Sequence, residues 1–245
     1  MRQEGFKFIE DLSIPCYQTN GQGMLRPAAF MDQAQELAFW AAAKLGFGYD
    51  NLHEHHVAWV LCRMHFRFLK ELRWRDHLSL ATWHKGSTGL FYLRDFDGRN
   101  EAGEQAVVCT SSWVVIDERT RRFVRPEDMA QKMSWGIVNE SAIEEQAPKI
   151  QFPAGGQSEL AGEHTVSYSD IDLIGHTNNA RYVVWAMDVL PLEDALRPVK
   201  DLYINFNKET TRGETVQLYR LFAEDAWYVE GRVAGKPCFV VKMVF

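Results

Sequence analysis

A single long helical pattern followed only by strand patterns, with the same order then repeated, constrains this 245-residue chain more than any other feature. From Pro27 to Leu45, the residues Phe30, Ala34, Leu37, Ala38, Ala41 and Leu45 recur at helical spacing. Pro27 suits the first turn of that helix and Gly46 its end. A strand-like segment at about 6–15 precedes it, and strand-like runs follow at 57–69, 77–85, 90–97 and 106–117. Asp97-Gly98 with Arg99-Asn100 offers turn material between two of them. The later half shows a strand near 164–169 and a helix from about Asn179 to Leu190, stopped by Pro191. Strands then follow at about 199–207, 214–223, 226–233 and 236–244, with turns at Glu224-Asp225 and Ala234-Gly235. Between the halves, residues 146–160 (QAPKIQFPAGGQSEL) carry two prolines and adjacent glycines without periodicity, a linker signature. The expected division is therefore 1–145, a linker at 146–160, and 161–245.

No later helices exist to make crossovers, so a parallel βαβ series is excluded. An antiparallel sheet wrapped around each helix fits instead, and YVVWAMDVL in the second helix is apolar on nearly every side, as an enclosed helix should be. The expected fold is α+β, the hotdog plan in tandem, with two units pairing their sheets into one body.

Hydrophobic and charged contents of 46% and 24% are ordinary for a globular chain and supply a sizeable core. A net charge of −6 argues against general nucleic-acid binding. No stretch approaches the length of a membrane span, and the acidic start MRQEGFKFIEDL does not suit a signal peptide. The cysteines Cys16, Cys62, Cys109 and Cys238 are far apart and read as reduced, strand-borne core residues. Together these features point to a cytoplasmic protein without a metal or cofactor.

GxSxG, GxGxxG and Walker patterns are all absent, which removes the serine-hydrolase elbow and the common nucleotide sites. His53-Glu54-His55-His56 is not HExxH and reads as a solvated loop. The distinctive segment is Ser169-Asp170-Ile171-Asp172-Leu173-Ile174-Gly175-His176-Thr177-Asn178-Asn179-Ala180-Arg181-Tyr182, which joins a strand to the second helix. Asn178 or Asn179 suits the N-cap, and the free amides of the first turn form a ready site for an oxyanion. With Asp172 and His176 in front of that turn, the segment holds the groups that thioester hydrolysis requires. The spacing is equally compatible with Asp172 capping a turn and His176 capping the helix.

At these residues the sequence resembles the acyl-acyl carrier protein thioesterases of bacteria and plant plastids, whose motif runs D-x-D-x-N-x-H-x-N-N-x-x-Y. The resemblance extends to WVLCRMHFRF (59–68), TWHKG (82–86), RDF (94–96) and SSWVVIDERTRRFVRP (111–126). It implies a third site residue, Glu209, within Phe206-Asn207-Lys208-Glu209-Thr210-Thr211-Arg212. Where plant members commonly carry a cysteine after this glutamate, Thr210 stands here, which argues against a cysteine nucleophile. The family asparagine between aspartate and histidine is replaced by Ile174, whose side chain makes no hydrogen bond.

The resemblance implies hydrolysis of fatty acyl-acyl carrier protein with Asp172, His176 and Glu209 at its centre, supported by Asn178, Asn179 and Thr210. It also implies an acyl cavity in the first unit beside the helix of 27–45, with Phe30, Phe39, Trp40 and Trp59 as candidates to limit its depth. The partner would be an acidic carrier protein, for which Arg119, Arg121, Arg122 and Arg125 offer a docking patch; a solvated turn explains the same run equally well. Other readings are an acyl-coenzyme A thioesterase, a non-catalytic acyl-binding or regulatory protein, which Ile174 favours, and a hydratase. Pairing into a homodimer is left open.

Overall fold

The computed structural model describes residues 1–125 and 136–245. The first half runs β1 (Arg2–Glu4), β2 (Lys7–Ser13), a 3-10 turn (Cys16–Gln18), α1 (Pro27–Lys44), α2 (Tyr49–His53), β3 (Val57–Phe68), β4 (His77–Thr88), β5 (Phe91–Arg99), β6 (Gln105–Asp117) and β7 (Phe123–Val124). The second half runs β8 (Glu159–Thr165), a 3-10 turn (Tyr168–Asp170), α3 (Asn179–Asp188), α4 (Leu192–Ala195), β9 (Asp201–Phe206), β10 (Thr215–Ala223), β11 (Ala226–Val233) and β12 (Lys236–Val244).

Helix α1 forms because alanine and other good helix formers dominate it and Pro27 sits where no amide partner is needed. It stops where Gly46 turns left-handed and the Phe47 amide returns to the Ala42 carbonyl at 3.0 Å. Phe30, Met31, Ala34, Leu37 and Ala41 are wholly buried on its inner face. Each large side chain among them contributes roughly 2 kcal/mol by leaving water. Helix α3 buries Ala180, Tyr182, Val183, Trp185 and Ala186 on one side, while Arg181, Val184 and Met187 on the other are half-buried and Asp188 is exposed. The helices pack on each other, and Gln35 of α1 donates to the Asn178 side chain at 3.2 Å.

The strands form one sheet in the order β1-β2-β4-β5-β6-β3-β9-β12-β11-β10-β8, with β7 on β6 and every pairing antiparallel. The order β2-β4-β5-β6-β3 is mirrored by β8-β10-β11-β12-β9, so each half is a sheet around a helix and the whole is a tandem hotdog. The halves join at β3 and β9, where Met64 faces Ile204, His65 faces Tyr203 and Phe66 faces Leu202. That register is symmetric about the His65–Tyr203 pair, whose rings stack at 4.1 Å. A local pseudo-twofold axis therefore passes through this pair.

Three local expectations are corrected. Asp97-Gly98 is not the turn: β5 continues to Arg99, and the chain reverses at Asn100–Glu104, with Gly103 left-handed. Gly98 is needed instead for close packing, since a Cβ there would lie 2.7 Å from Val107 Cγ1. Cys16 lies exposed in a 3-10 turn rather than on a core strand, while Cys62, Cys109 and Cys238 are on strands. The short helix α2 ends at His53, which pairs with Glu118 at 3.5 Å. Turns Glu224-Asp225 and Ala234-Gly235 do occur, each with two left-handed residues.

Candidate active site

The segment ahead of α3 folds through its own polar groups. The Asp172 amide donates to the His176 carbonyl at 2.9 Å and the Gly175 amide to the Asp172 carbonyl at 3.1 Å, closing a tight turn. Gly175 sits at φ 84°, where a side chain would be strained. Asp172 Oδ1 accepts the Ile174 amide at 3.0 Å, an Asx-type bond that shapes the turn. Leu173 and Ile174 project outward at the tip, and Ile174 is 56% exposed.

Asn178 is the N-cap of α3, its side chain accepting the Ala180 amide at 2.9 Å, and Asn179 is the first helical residue. Most amides at this helix start are already used. Thr177 donates to the Thr210 carbonyl at 3.0 Å and Asn178 to the Asp170 carbonyl at 2.8 Å. Among the described residues, the Asn179 amide makes no hydrogen bond, so the expected set of free donors narrows to this one.

His176 and Glu209 come together. His176 Nε2 lies 3.7 Å from Glu209 Oε2, with both side chains about one-third exposed, at 38% and 35%. This exceeds a hydrogen bond but is within the range that closes when substrate orders a site. The same Oε2 accepts from the Arg121 guanidinium at 3.2 Å. Asp172 forms no ion pair with either residue among the described residues; its Oδ1 is held by the turn. The site thus joins the second half's loop and β9–β10 connection to the β6–β7 turn of the first half. That turn is built by Asp117, whose Oδ1 accepts the amides of Arg119 at 3.0 Å and Thr120 at 2.7 Å.

Thr210 lies inside, not on the site wall. Its side chain is wholly buried, with its Oγ1 2.7 Å from Thr177 Oγ1 and 2.9 Å from Tyr182 OH. Its amide donates to Tyr182 OH at 3.1 Å. This chain of hydroxyls fixes the Glu209 segment to α3. Thr210→Val is expected to lower stability by about 1–2 kcal/mol, read as a shift in the urea midpoint, because it takes one hydroxyl out of a dry network.

Asp170 was not among the expected site residues, yet it holds the loop in place. It is 1% exposed, and its Oδ2 accepts from His164 at 2.8 Å, the Ser167 amide at 2.8 Å and the Ser167 hydroxyl at 3.0 Å. Its Oδ1 accepts from Arg181 Nε of α3 at 3.2 Å. Burial alone would push this carboxyl up, but the bonds from His164, Ser167 and Arg181 outweigh it and hold it at about 2. Ser167-x-x-Asp170 is a capping-box spacing, the one local signal of this role.

The acyl-pocket candidates separate. Phe30 is wholly buried, edge-on to Phe66 and Phe68, and Trp59 packs edge-on to Tyr92 at 4.9 Å inside the first unit. Phe39 and Trp40 are corrected, being 39% and 47% exposed on the outer face of α1. At roughly 100° per residue, Phe39 lies opposite Phe30 and Trp40 well off the buried stripe. Of the docking candidates, Arg119, Arg122 and Arg125 are exposed, Arg119 donating to the His56 ring. Arg121 is exposed as well, and its guanidinium reaches Glu209.

Residues 5–133 match the family model of the acyl-ACP thioesterase N-terminal domain, and residues 156–232 that of the C-terminal domain. The chain is 23% identical over 235 residues to oleoyl-acyl carrier protein thioesterase 2, chloroplastic, of Arabidopsis thaliana, covering 88% of this chain and 63% of that protein. It is 24% identical over 226 residues to a chloroplastic dodecanoyl-[acyl-carrier-protein] hydrolase of Cinnamomum camphora, covering 87% and 59%. The chain thus spans about three fifths of the length of these relatives. Among solved structures, an acyl-ACP thioesterase from Bacteroides thetaiotaomicron superposes with a TM-score of 0.87 at 21% identity, covering 98% of both chains. The 12:0-ACP thioesterase from Umbellularia californica gives 0.86 at 20% identity, covering 100% of this chain and 98% of that one. At such identities these structures speak for the shared fold.

Proposed function

The chain belongs to the acyl-ACP thioesterase family, and from that membership we propose that it hydrolyses the thioester of fatty acyl-acyl carrier protein, releasing free fatty acid and ending chain elongation. The observation that carries this reading is the meeting of His176 and Glu209 beside the start of α3, at 3.7 Å. Glu209, directly or through His176, takes a proton from water as its oxygen bonds to the acyl carbonyl carbon. The unpaired Asn179 amide, at the positive end of α3, faces the charge that develops on the carbonyl oxygen. The carbon–sulfur bond then breaks, and the thiolate leaves with the proton returned from the His176–Glu209 pair. Asp172 holds the turn that presents His176.

Arg119, Arg122 and Arg125 form the patch for an acidic carrier, on a chain of net charge −6. Among the described residues no helix is long and apolar enough to cross a membrane, and the four free cysteines support a reducing, cytoplasmic setting. The test is a panel of acyl chains of graded length, each on carrier protein and on coenzyme A, assayed for thiol release. The expected result is faster hydrolysis of the carrier-linked series, with a rate that falls as salt rises. Equal or faster hydrolysis of the coenzyme A series overturns the carrier assignment, and no hydrolysis of either overturns the enzyme.

A further inference from the structure

The pseudo-twofold axis at His65–Tyr203 relates the candidate active site to a second place in the molecule. Ahead of α1, the Asn20 amide donates to the Met24 carbonyl at 2.8 Å and the Gly23 amide to the Asn20 carbonyl at 2.9 Å. Asn20 Oδ1 accepts the Gln22 amide at 3.0 Å, and Gly23 lies at φ 78°. These repeat the bonds of Asp172, Ile174, Gly175 and His176. The Arg26 amide donates to the Gln18 carbonyl at 3.0 Å and the Leu25 amide to the Leu72 carbonyl at 2.7 Å. Asn178 and Thr177 make the same bonds to Asp170 and Thr210. Even the closing bonds agree, with the Arg73 amide on Asp76 Oδ2 and the Thr211 amide on Glu214 Oε2, both at 2.7 Å.

In this second copy Met24 stands for His176, Asn20 for Asp172, Leu72 for Thr210 and Glu71 for Glu209. A thioether moves no proton, so the Glu71 carboxylate, paired with Arg73 at 2.5 Å as Glu209 is with Arg121, has no imidazole to work with. The copy has therefore lost the means of hydrolysis while keeping the backbone that built the site.

A cavity lies beside it. These loops, α3 and the segment 195–200 enclose a cleft of about 720 Å³, within the usual size of a small-molecule site. Met24, Leu25, Ala28, Phe68, Val184 and Met187 give it apolar walls. Five cationic side chains line it against three carboxylates, although the chain as a whole is acidic. One carboxylate is Glu71, already paired; the others, Asp32 and Asp188, are exposed at the rim near Arg181 and Arg26. Among the described residues, Lys200 has no ion pair and the Arg26 guanidinium donates only to the Tyr17 carbonyl.

We propose that this cleft is a second, catalytically silent acyl-ligand site, which takes an amphiphile with a carboxylate head and an apolar tail, a fatty acid. The class of ligand rests on the thioesterase reading, because a fatty acid is the product of that reaction; the duplicated geometry does not. The carboxylate pairs with Lys200 and Arg26, and the tail lies along Met24, Val184 and Met187.

The test uses the full chain and a diazirine-bearing twelve-carbon fatty acid, with crosslinked residues mapped by mass spectrometry. Carrier-linked hydrolysis is assayed on the same preparation. Label is expected on residues 24–29 and 184–200 and should be displaced by sodium laurate. It should fall by about tenfold in Lys200→Glu and, separately, in Arg26→Glu, since each sets a negative charge beside the carboxylate. Label confined to other regions, or label in the cleft that neither laurate nor either variant reduces, overturns the proposal. Hydrolysis without cleft label removes the second site and leaves the enzyme; displaceable cleft label without hydrolysis keeps the site and removes the thioesterase reading.

Discussion

Glu209→Gln is expected to lower kcat for acyl-thioester hydrolysis by about 1,000-fold, with stability changed by less than about 1 kcal/mol. The amide keeps the shape of the side chain but accepts no proton at neutral pH, so the step that activates water is lost. Folding is spared because Glu209 is partly exposed and its Arg121 partner is 61% exposed, a surface pair of small net worth. His176→Ala should cost a similar factor, and the double variant little more than either alone, because the two residues act as one unit. Asp172→Asn separates roles: asparagine can still accept the Ile174 amide, so a loss below about tenfold is expected if Asp172 only shapes the turn. Steady-state rates on one carrier-linked substrate, with melting curves for each variant, check all four. A Glu209→Gln enzyme with near-normal kcat would remove Glu209 from the reaction.

Asp170→Asn should behave in the opposite way, losing stability first and activity as a consequence. The carboxylate accepts from His164, from both donors of Ser167 and from Arg181, and an amide group can satisfy only part of that set. Removing one charge from such a buried cluster costs about 3 kcal/mol, read as a drop in the urea midpoint at neutral pH. The pH dependence carries the sign. Asp170 sits at about 2 in the folded protein, below its value of roughly 3.9 when unfolded. Its contribution, about 2 kcal/mol, is complete above pH ~4 and is lost as pH falls toward 2. Wild-type stability should therefore drop through that window, and Asp170→Asn should drop less steeply. Equal acid slopes in the two proteins would show that Asp170 is not held ionised by the fold.

The elements that could be found in the sequence are those whose cause is local. Helix α1 shows in its spaced apolar residues, α3 in its Asn178 cap, and the last two hairpins in Glu224-Asp225 and Ala234-Gly235. Asp97-Gly98 misled because the same dipeptide that makes a turn also permits a strand to pass close to Val107. Phe39 and Trp40 misled because an aromatic on a helix reads as core until the helix is turned about its axis. Arg121 is a surface charge, and its pairing is hidden from the sequence because the partner, Glu209, lies 88 residues away.

The sequence by itself determined two helices each enclosed by antiparallel strands, the polar loop in front of the second helix, and the motif residues Asp172 and His176 within it. Propensity, capping and side-chain periodicity act over a few residues and are written in the order of the chain. Tertiary structure alone decided that His176 meets Glu209 rather than Asp172 and that Arg121 from the first half reaches the same carboxylate. It alone decided that the loop before α1 repeats the loop before α3 around a cleft. The Arg121–Glu209 contact and the shared cleft depend on the β3–β9 seam, whose paired residues are more than a hundred positions apart, and no local preference specifies that register.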